Sequence, residues 1–155
     1  MLAQYPLAGF ASPSLAWATV VTDSRFSCAA RSADDLLAGR VPTFAYEFND
    51  PNAPEFIVTD PVMPLGAFHA SELPYLFQPA DTSLFTPAQL ALSDQMIRYW
   101  TRFAALGTPN GPGTPFWARF TASSDRIQSL APGATRPITT FAADHGCAFW
   151  ASLTA

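Results

Sequence analysis

Apolar residues at helical spacing occupy the first quarter of the chain. Ser12 can cap a helix that has Pro13 at its first position, and apolar residues follow at the spacing of one helical face. A second pattern of this kind begins near Asp23, either continuous with the first or separate from it, and Gly39 supplies a signal for its end. The pattern therefore predicts one or two helices before Gly39.

Alternation replaces helical spacing over residues 41–48, which predicts a strand. Three aromatic side chains alternate onto one face of this segment: Phe44, Tyr46 and Phe48. Asp50 lies in the turn that ends it, and the proline-rich residues 49–68 show no period. A loop of this length inside a compact domain is usually functional, and this one leads to His69.

The longest helical pattern begins at Thr86. Thr86 and Gln89 form a capping box around Pro87, and Gly107 marks the end of the helix. We expect the apolar side chains of this helix to form one core-facing stripe: Leu90, Met96, Ile97, Trp100, Phe103 and Ala104. Short strands near residues 126–130 and 138–141, then a helix around 147–150, complete a mixed α and β pattern.

Composition excludes several classes of partner. The chain has 155 residues, the size of one domain, and 49% of them are hydrophobic, so intrinsic disorder is not expected. The net charge of −4 without a basic cluster argues against nucleic acid and against a membrane surface as partner. No apolar run approaches the ~20 residues that span a bilayer. The start of the chain has no signal-peptide pattern, so localisation stays open, including a secreted longer parent.

One stretch, residues 66–77, carries candidate chemistry. His69 is one of only two histidines, and histidine can take and return a proton near neutral pH. Gly66 can relax the backbone before it, and Ser71 can cap a short helix after it. His69 is therefore a candidate general base. A histidine that only packs or caps is the alternative, and this stretch alone favours it.

Taken together, these segments resemble the C-terminal part of the type-B carboxylesterase family of α/β-hydrolases, which includes the cholinesterases. The matching pieces lie in family order over nearly the whole chain: Thr22-Asp23-Ser24-Arg25-Phe26-Ser27-Cys28, Tyr46-Glu47-Phe48, Gly66-Ala67-Phe68-His69-Ala70-Ser71-Glu72-Leu73, Trp100-Thr101-Arg102-Phe103-Ala104, Gly107-Thr108-Pro109-Asn110, Phe116-Trp117 and Cys147-Ala148-Phe149-Trp150. The resemblance implies an α/β fold made of the last strands of a central sheet with covering helices. Residues 1–155 would then be a single partial domain.

The resemblance also implies roles for individual residues. His69 would be the catalytic histidine of a triad of serine, acid and histidine. Glu72 matches a family glutamate beside that histidine. We expect Glu72 and Ser71 to support the catalytic residues rather than to act on the substrate themselves. Phe68 and Phe77 are expected to line what remains of the pocket, with core packing as the alternative. The family uses no cofactor, and its substrates are small-molecule carboxylic esters.

The chain contains no Gly-x-Ser-x-Gly, the motif that carries the nucleophile in this fold. The family's serine and acid both precede the segment that matches this chain. We therefore expect a C-terminal fragment of a serine esterase with negligible turnover alone. Two alternatives stay open: a non-catalytic binding domain on the same fold, and one half of a split esterase completed by a separate N-terminal chain.

The resemblance further implies a disulfide between Cys28 and Cys147. Two separate buried thiols are the alternative, as expected in a reducing compartment. Both cysteines could also join His145 in a metal site, but their spacing fits no common zinc pattern, so no metal is expected. His145 is expected to pack or cap at the last helix.

Overall fold

The computed structural model describes residues 3–56, 63–77 and 82–153. They divide into two compact units. The first contains Met1–Thr43, Phe120–Arg126 and Ile138–Ala155, and the second contains Phe44–Arg119 and Ile127–Pro137. The described residues contain mixed helices and strands with a small three-stranded sheet, as expected for part of an α/β-hydrolase. The placement at the C-terminal end of that fold stays a prediction. The single partial domain over residues 1–155 stays a prediction.

The first unit begins with one long helical run. A short 3₁₀ turn, Leu7–Gly9, precedes α1, Pro13–Val21; a π-helical segment, Thr22–Ser27, then continues without a break into α2, Cys28–Ala38. The side chain of Ser12 accepts a hydrogen bond from the backbone N–H of Leu15 at 3.2 Å, as predicted for the cap. The two helical patterns are therefore continuous, because the wider π turn joins them.

A disulfide joins this run to the end of the chain. Two short helices close the first unit: α5, Phe141–Asp144, and α6, Cys147–Ser152. Cys28 at the start of α2 is bonded to Cys147 at the start of α6, across a sequence separation of 119. This confirms the pairing that the resemblance implies. Closing a loop of this length lowers the entropy of the unfolded chain, worth about 5 kcal/mol at most.

A buried carboxylate lies beside this disulfide. Asp23 is 2% exposed and accepts a hydrogen bond from the hydroxyl of Tyr5 at 2.9 Å. Nδ1 of His145 lies 2.7 Å from the other carboxylate oxygen of Asp23, and Trp150 Nε1 donates to the Tyr5 hydroxyl at 2.7 Å. These contacts fix the start of the chain, the π-helical segment and α6 to one another.

The second unit is built on a three-stranded sheet in the order β1-β2-β3. The strands are β1, Tyr46–Phe48; β2, Ile127–Leu130; and β3, Arg136–Ile138. β1 runs parallel to β2, with Tyr46 opposite Gln128 and Phe48 opposite Leu130. The predicted strand 41–48 is too long, because only Tyr46–Phe48 forms a strand. The predicted strand 138–141 is also shifted, because Phe141 opens α5.

The capping box sets the start of the long helix α4, Pro87–Leu106. Thr86 Oγ1 accepts from the backbone N–H of Gln89 at 3.3 Å, and Gln89 Oε1 accepts from the backbone N–H of Thr86 at 2.9 Å. Gly107 ends the helix with φ of +70°, a conformation that only glycine adopts without a steric cost. Both predicted ends of α4 are confirmed.

The predicted apolar stripe of α4 is only partly right. The buried residues of the helix are Gln89, Leu92, Ser93, Met96 and Tyr99. Phe103, which the stripe included, is 47% exposed. Polar side chains are buried here because they find partners: Ser93 Oγ donates to the carbonyl of Tyr75 at 2.6 Å, and the Tyr99 hydroxyl donates to the carbonyl of Pro115 at 2.7 Å. A purely apolar pattern misses such positions.

The aromatic side chains around β1 share one face, as predicted. Their ring centroids lie close to partners on helices of the second unit: Phe44 is 5.9 Å from Phe103, Tyr46 is 5.1 Å from Trp100, and Phe48 is 4.9 Å from Tyr75. Trp117 is 4% exposed and its Nε1 donates to the carbonyl of Ala45 at 3.0 Å. This face of the sheet therefore carries the core of the second unit.

Candidate active site

His69 lies in an exposed turn that precedes the short helix α3, Leu73–Leu76. Gly66 has φ of +63°, so it does relax the backbone before the turn, as expected. Ala70 follows His69 with φ of +73°, and it is the one non-glycine residue with a positive φ among the described residues. An L-residue pays roughly 1–2 kcal/mol for this conformation. The backbone beside His69 is therefore strained.

Successive turns connect this strained point to α3. The backbone N–H of Ser71 donates to the carbonyl of Phe68 at 3.0 Å, and that of Leu73 donates to Ala70 at 3.1 Å. Ser71 does not cap α3, contrary to expectation: Glu72 occupies the cap position and no side chain caps it. Ser71 is instead 1% exposed. The turn thus has one side buried while His69 is held outside.

Glu72 lies near the phenol of Tyr46. Burial raises the pKa of Tyr46, and the negative charge of Glu72 raises this pKa further. The two predicted pocket residues differ in exposure: Phe68 is half-buried, whereas Phe77 is 76% exposed at the end of α3. The roles of these residues in a site stay predictions.

Sequence reasoning assigned Asp50 only to a turn, but the structure surrounds it with hydrogen-bond donors. Asp50 is 2% exposed, and its Oδ2 accepts from the hydroxyl of Tyr75 and from Nε2 of Gln89, the latter at 2.8 Å. Its Oδ1 accepts from the backbone N–H of Asn52 at 2.9 Å. Burial and the adjacent Asp50 carboxylate raise the pKa of Tyr75. The signal in the sequence was the polar Gln89 at the start of a core helix.

An aromatic groove lies in the second unit between β1 and α4. It encloses a cavity of about 170 Å³. Its lining is almost wholly aromatic: Phe44, Tyr46, Tyr99, Trp100, Phe103, Pro109 and Trp117. Tyr46 and Phe103 remain 40% and 47% exposed at its rim.

Other kinds of site are not supported within residues 3–56, 63–77 and 82–153. No three acidic, cysteine or histidine residues of these segments come together as metal ligands. None of the helices in the described part of the chain is both long enough and apolar enough to cross a bilayer.

Comparison with known proteins agrees with the resemblance. The sequence profile of the carboxylesterase family matches residues 11–150. Human (Homo sapiens) cocaine esterase is 30% identical over 135 residues, which are 84% of this chain and 23% of that protein. Carboxylesterase 4A of Bos taurus is 33% identical over 116 residues, 72% of this chain and 20% of that protein. Acetylcholinesterase of Bungarus fasciatus is 35% identical over 92 residues, 56% of this chain and 15% of that protein.

These matches are to a family of esterase-type hydrolases. The chain belongs to the carboxylesterase family. It spans between 14% and 23% of the length of the curated relatives it matches.

Proposed function

We propose that this chain is the C-terminal portion of a serine carboxylic ester hydrolase, and that His69 is its catalytic histidine. The supporting observation is the position of His69: it is exposed in a strained turn after β1, on a chain that matches the carboxylesterase family over residues 11–150. Backbone strain is concentrated at functional sites more often than elsewhere. A histidine that only packs needs neither the exposure nor the strain.

In the proposed reaction, His69 removes the proton from a serine hydroxyl as its oxygen attacks the carbonyl carbon of the ester. When the tetrahedral intermediate collapses, the bond to the alcohol oxygen breaks and the imidazolium returns the proton to the departing alkoxide. Water then attacks the acyl-enzyme with the same base, releasing the carboxylic acid and the serine. Each proton taken by His69 is given back within one cycle, so no cofactor is needed.

The serine and the acid of this triad come from outside these 155 residues, which contain no Gly-x-Ser-x-Gly. The matched relatives are several times longer than this chain, which supports an N-terminal portion that supplies both groups. That portion is either continuous with this chain or a separate half of a split esterase. We propose that the chain alone has negligible turnover, since losing the serine alone costs a factor of roughly 10⁶ in a triad of this kind.

The outer edge of β1 supports an N-terminal portion as partner. Among the described strands, β1 pairs with β2 alone. Gln128 N donates to the carbonyl of Ala45 at 3.0 Å and Asn49 N donates to the carbonyl of Leu130 at 2.9 Å. Alternate residues of a strand face opposite neighbours, so the backbone groups of Tyr46 and Phe48 point away from β2. A further strand would pair there.

The groove supports the same partner, because the aromatic rings at its rim are exposed. Exposed apolar patches of this kind mark interaction surfaces. Glu72 and Ser71 would support His69 in the assembled site, and Phe68 and Phe77 would line its substrate side. These four residues flank His69 along one run of turns and helix.

The test begins with the DNA upstream of the coding sequence. We expect a reading frame with Gly-x-Ser-x-Gly, either fused to this chain or adjacent to it. The combined product should react with a fluorophosphonate probe and cleave nitrophenyl esters. The chain alone should do neither.

Two variants assign the role of His69 in that product. His69→Ala should lower kcat by roughly 10⁴–10⁶, while His145→Asn, at the only other histidine, should leave kcat within a few-fold. Stoichiometric labelling of the chain alone, or an active product that tolerates His69→Ala, would contradict the proposal. An unreactive combined product would favour the non-catalytic domain.

A further inference from the structure

The hydrogen bonds of Asp50 converge from three separate parts of the second unit. Tyr75 belongs to α3, Gln89 to the first turn of α4, and Asn52 to the turn after β1. Asp50 is 2% exposed and Gln89 is 4% exposed. A buried carboxylate that accepts from three donors is fully paired, and removing one donor leaves a buried charge short of a partner. The arrangement therefore depends on each donor.

Tyr75 is the member of this group that lies nearest to His69 along the chain. Its side chain is 0% exposed, and its ring centroid lies 4.9 Å from those of both Phe48 and Phe85. Its backbone carbonyl accepts the hydroxyl of Ser93 at 2.6 Å. A helix of four residues such as α3 cannot hold its position through its own hydrogen bonds. Tyr75 instead anchors α3 to the core through its hydroxyl, its ring and its carbonyl.

A continuous series of turns connects Tyr75 to the residues on both sides of His69. The backbone N–H of Tyr75 donates to Glu72 at 3.0 Å, that of Leu73 donates to Ala70 at 3.1 Å, and Ser71 donates to Phe68, on the far side of His69. These three turns overlap, because each shares two residues with the next. The strained φ of Ala70 persists only if both sides of the turn are held.

We propose that Asp50 is a positioning residue for His69, acting through Tyr75 and α3. Asp50 need not touch the substrate or the imidazole. Its carboxylate holds the hydroxyl of Tyr75, Tyr75 holds α3, and α3 holds the strained turn from which His69 projects. The catalytic meaning of this inference rests on the proposed function, but the coupling between Tyr75 and His69 does not.

Tyr75→Phe removes the hydroxyl alone, and Tyr99→Phe is its matched control. Both tyrosines are 0% exposed, and the Tyr99 hydroxyl is likewise bonded, to the carbonyl of Pro115 at 2.7 Å. Tyr75→Phe should lower the free energy of unfolding by more than Tyr99→Phe, because the Tyr75 hydroxyl is bonded to a buried carboxylate. If Asp50 acted in stability alone, neither variant would change the surroundings of His69.

The imidazole NMR signals distinguish positioning from stability. The chain has two histidines, so ¹³C- and ¹⁵N-labelled histidine gives signals from His69 and His145 only. Tyr75→Phe should shift or broaden the His69 signals and leave those of His145 in place. Tyr99→Phe should leave both. An unchanged His69 in Tyr75→Phe, or an equal change in Tyr99→Phe, would overturn the inference.

A second variant covers the case in which Tyr75→Phe does not fold. Gln89→Met removes one donor from Asp50 and keeps the Tyr75 hydroxyl, so the His69 signals should move in the same direction by less. No movement in this variant would also overturn the inference.

In the combined esterase, Tyr75→Phe should lower kcat about tenfold with KM nearly unchanged. If that esterase proves inactive, the proposed function fails, while the NMR result still decides the coupling.

Discussion

Ala70 holds the backbone at φ of +73° immediately after His69, the one such non-glycine conformation among the described residues. Glycine adopts this conformation without the steric cost that an alanine pays, although glycine loses more entropy on folding. Because these two effects oppose each other, the sign of the stability change when alanine is replaced by glycine depends on φ at that residue.

Replacing Ala70 with glycine should therefore stabilise the fold by up to about 1 kcal/mol. Ala67→Gly is the matched control: Ala67 is exposed in the same loop and does not have a positive φ. It should destabilise by about 0.5–1 kcal/mol, the ordinary cost of glycine. Chemical denaturation of both variants gives the comparison. Two changes of the same sign would mean that Ala70 is not strained.

The hydroxyl of Thr86 should matter more than an exposed hydroxyl in the middle of α4. Thr86→Ala removes the acceptor for the Gln89 N–H and should cost about 1 kcal/mol of unfolding free energy. Thr101→Ala removes an exposed hydroxyl that bonds to Ile97 in mid-helix, and should stay within about 0.5 kcal/mol of the parent. Urea melts followed by circular dichroism would measure both. Equal losses would contradict the capping role.

Asp23 should matter more than an exposed carboxylate of the same unit. Asp23→Asn disturbs the pairing with both His145 and Tyr5, so we expect a loss of about 1–3 kcal/mol. Asp35→Asn breaks a pair with Arg31 in which the Asp35 side chain is 40% exposed, and should cost at most about 1 kcal/mol. The measurement is urea denaturation at neutral pH. A larger loss for Asp35→Asn would contradict the burial argument.

The disulfide should be complete and strongly stabilising. Thiol titration of unreduced, denatured protein should find no free cysteine, since Cys28 and Cys147 are the only two in the chain. Replacing both with serine should lower the free energy of unfolding by about 2–5 kcal/mol. Thermal melts with and without reductant would measure the loss. Two reactive thiols in the untreated protein would contradict the bridge.

Stability should fall in alkali because of Tyr75. Burial and the adjacent Asp50 raise the pKa of Tyr75 in the folded protein, whereas an unfolded tyrosine titrates near pH 10. The stabilising contribution is therefore full below about pH 10 and is lost as the pH rises towards the folded pKa, by about 1.4 kcal/mol per pH unit. Tyr75→Phe should reduce this slope, since burial also raises the pKa of Tyr5 and of Tyr99, and Tyr46→Phe, at a tyrosine 40% exposed, should reduce it less. This slope would be measured by urea denaturation at about five pH values between about pH 9 and 11.5.

Much of the candidate site could be predicted from local signals and from the family pattern. The glycine before His69 was expected to relax the backbone and does so, and the resemblance implied the cysteine pair; the predicted loop 49–68 lies partly outside the described residues. The buried hydrogen bonds of Asp50 were not expected. Asp50 matched the pattern of a turn residue, and Ser71 matched that of a helix cap, because both residue types favour such positions in isolation.

The amino-acid sequence by itself determined where α4 begins and ends. Thr86, Gln89 and Gly107 act on backbone groups within one turn of their own positions, so their effect does not depend on the rest of the fold. The tertiary structure alone decided which polar side chains are buried. Asp50 is hydrogen-bonded to Tyr75, 25 residues away in the sequence, and to Gln89, 39 residues away. A buried carboxylate is stable only where such donors surround it. No pattern along the chain predicts these hydrogen bonds, because they form only when distant segments pack together in the folded protein.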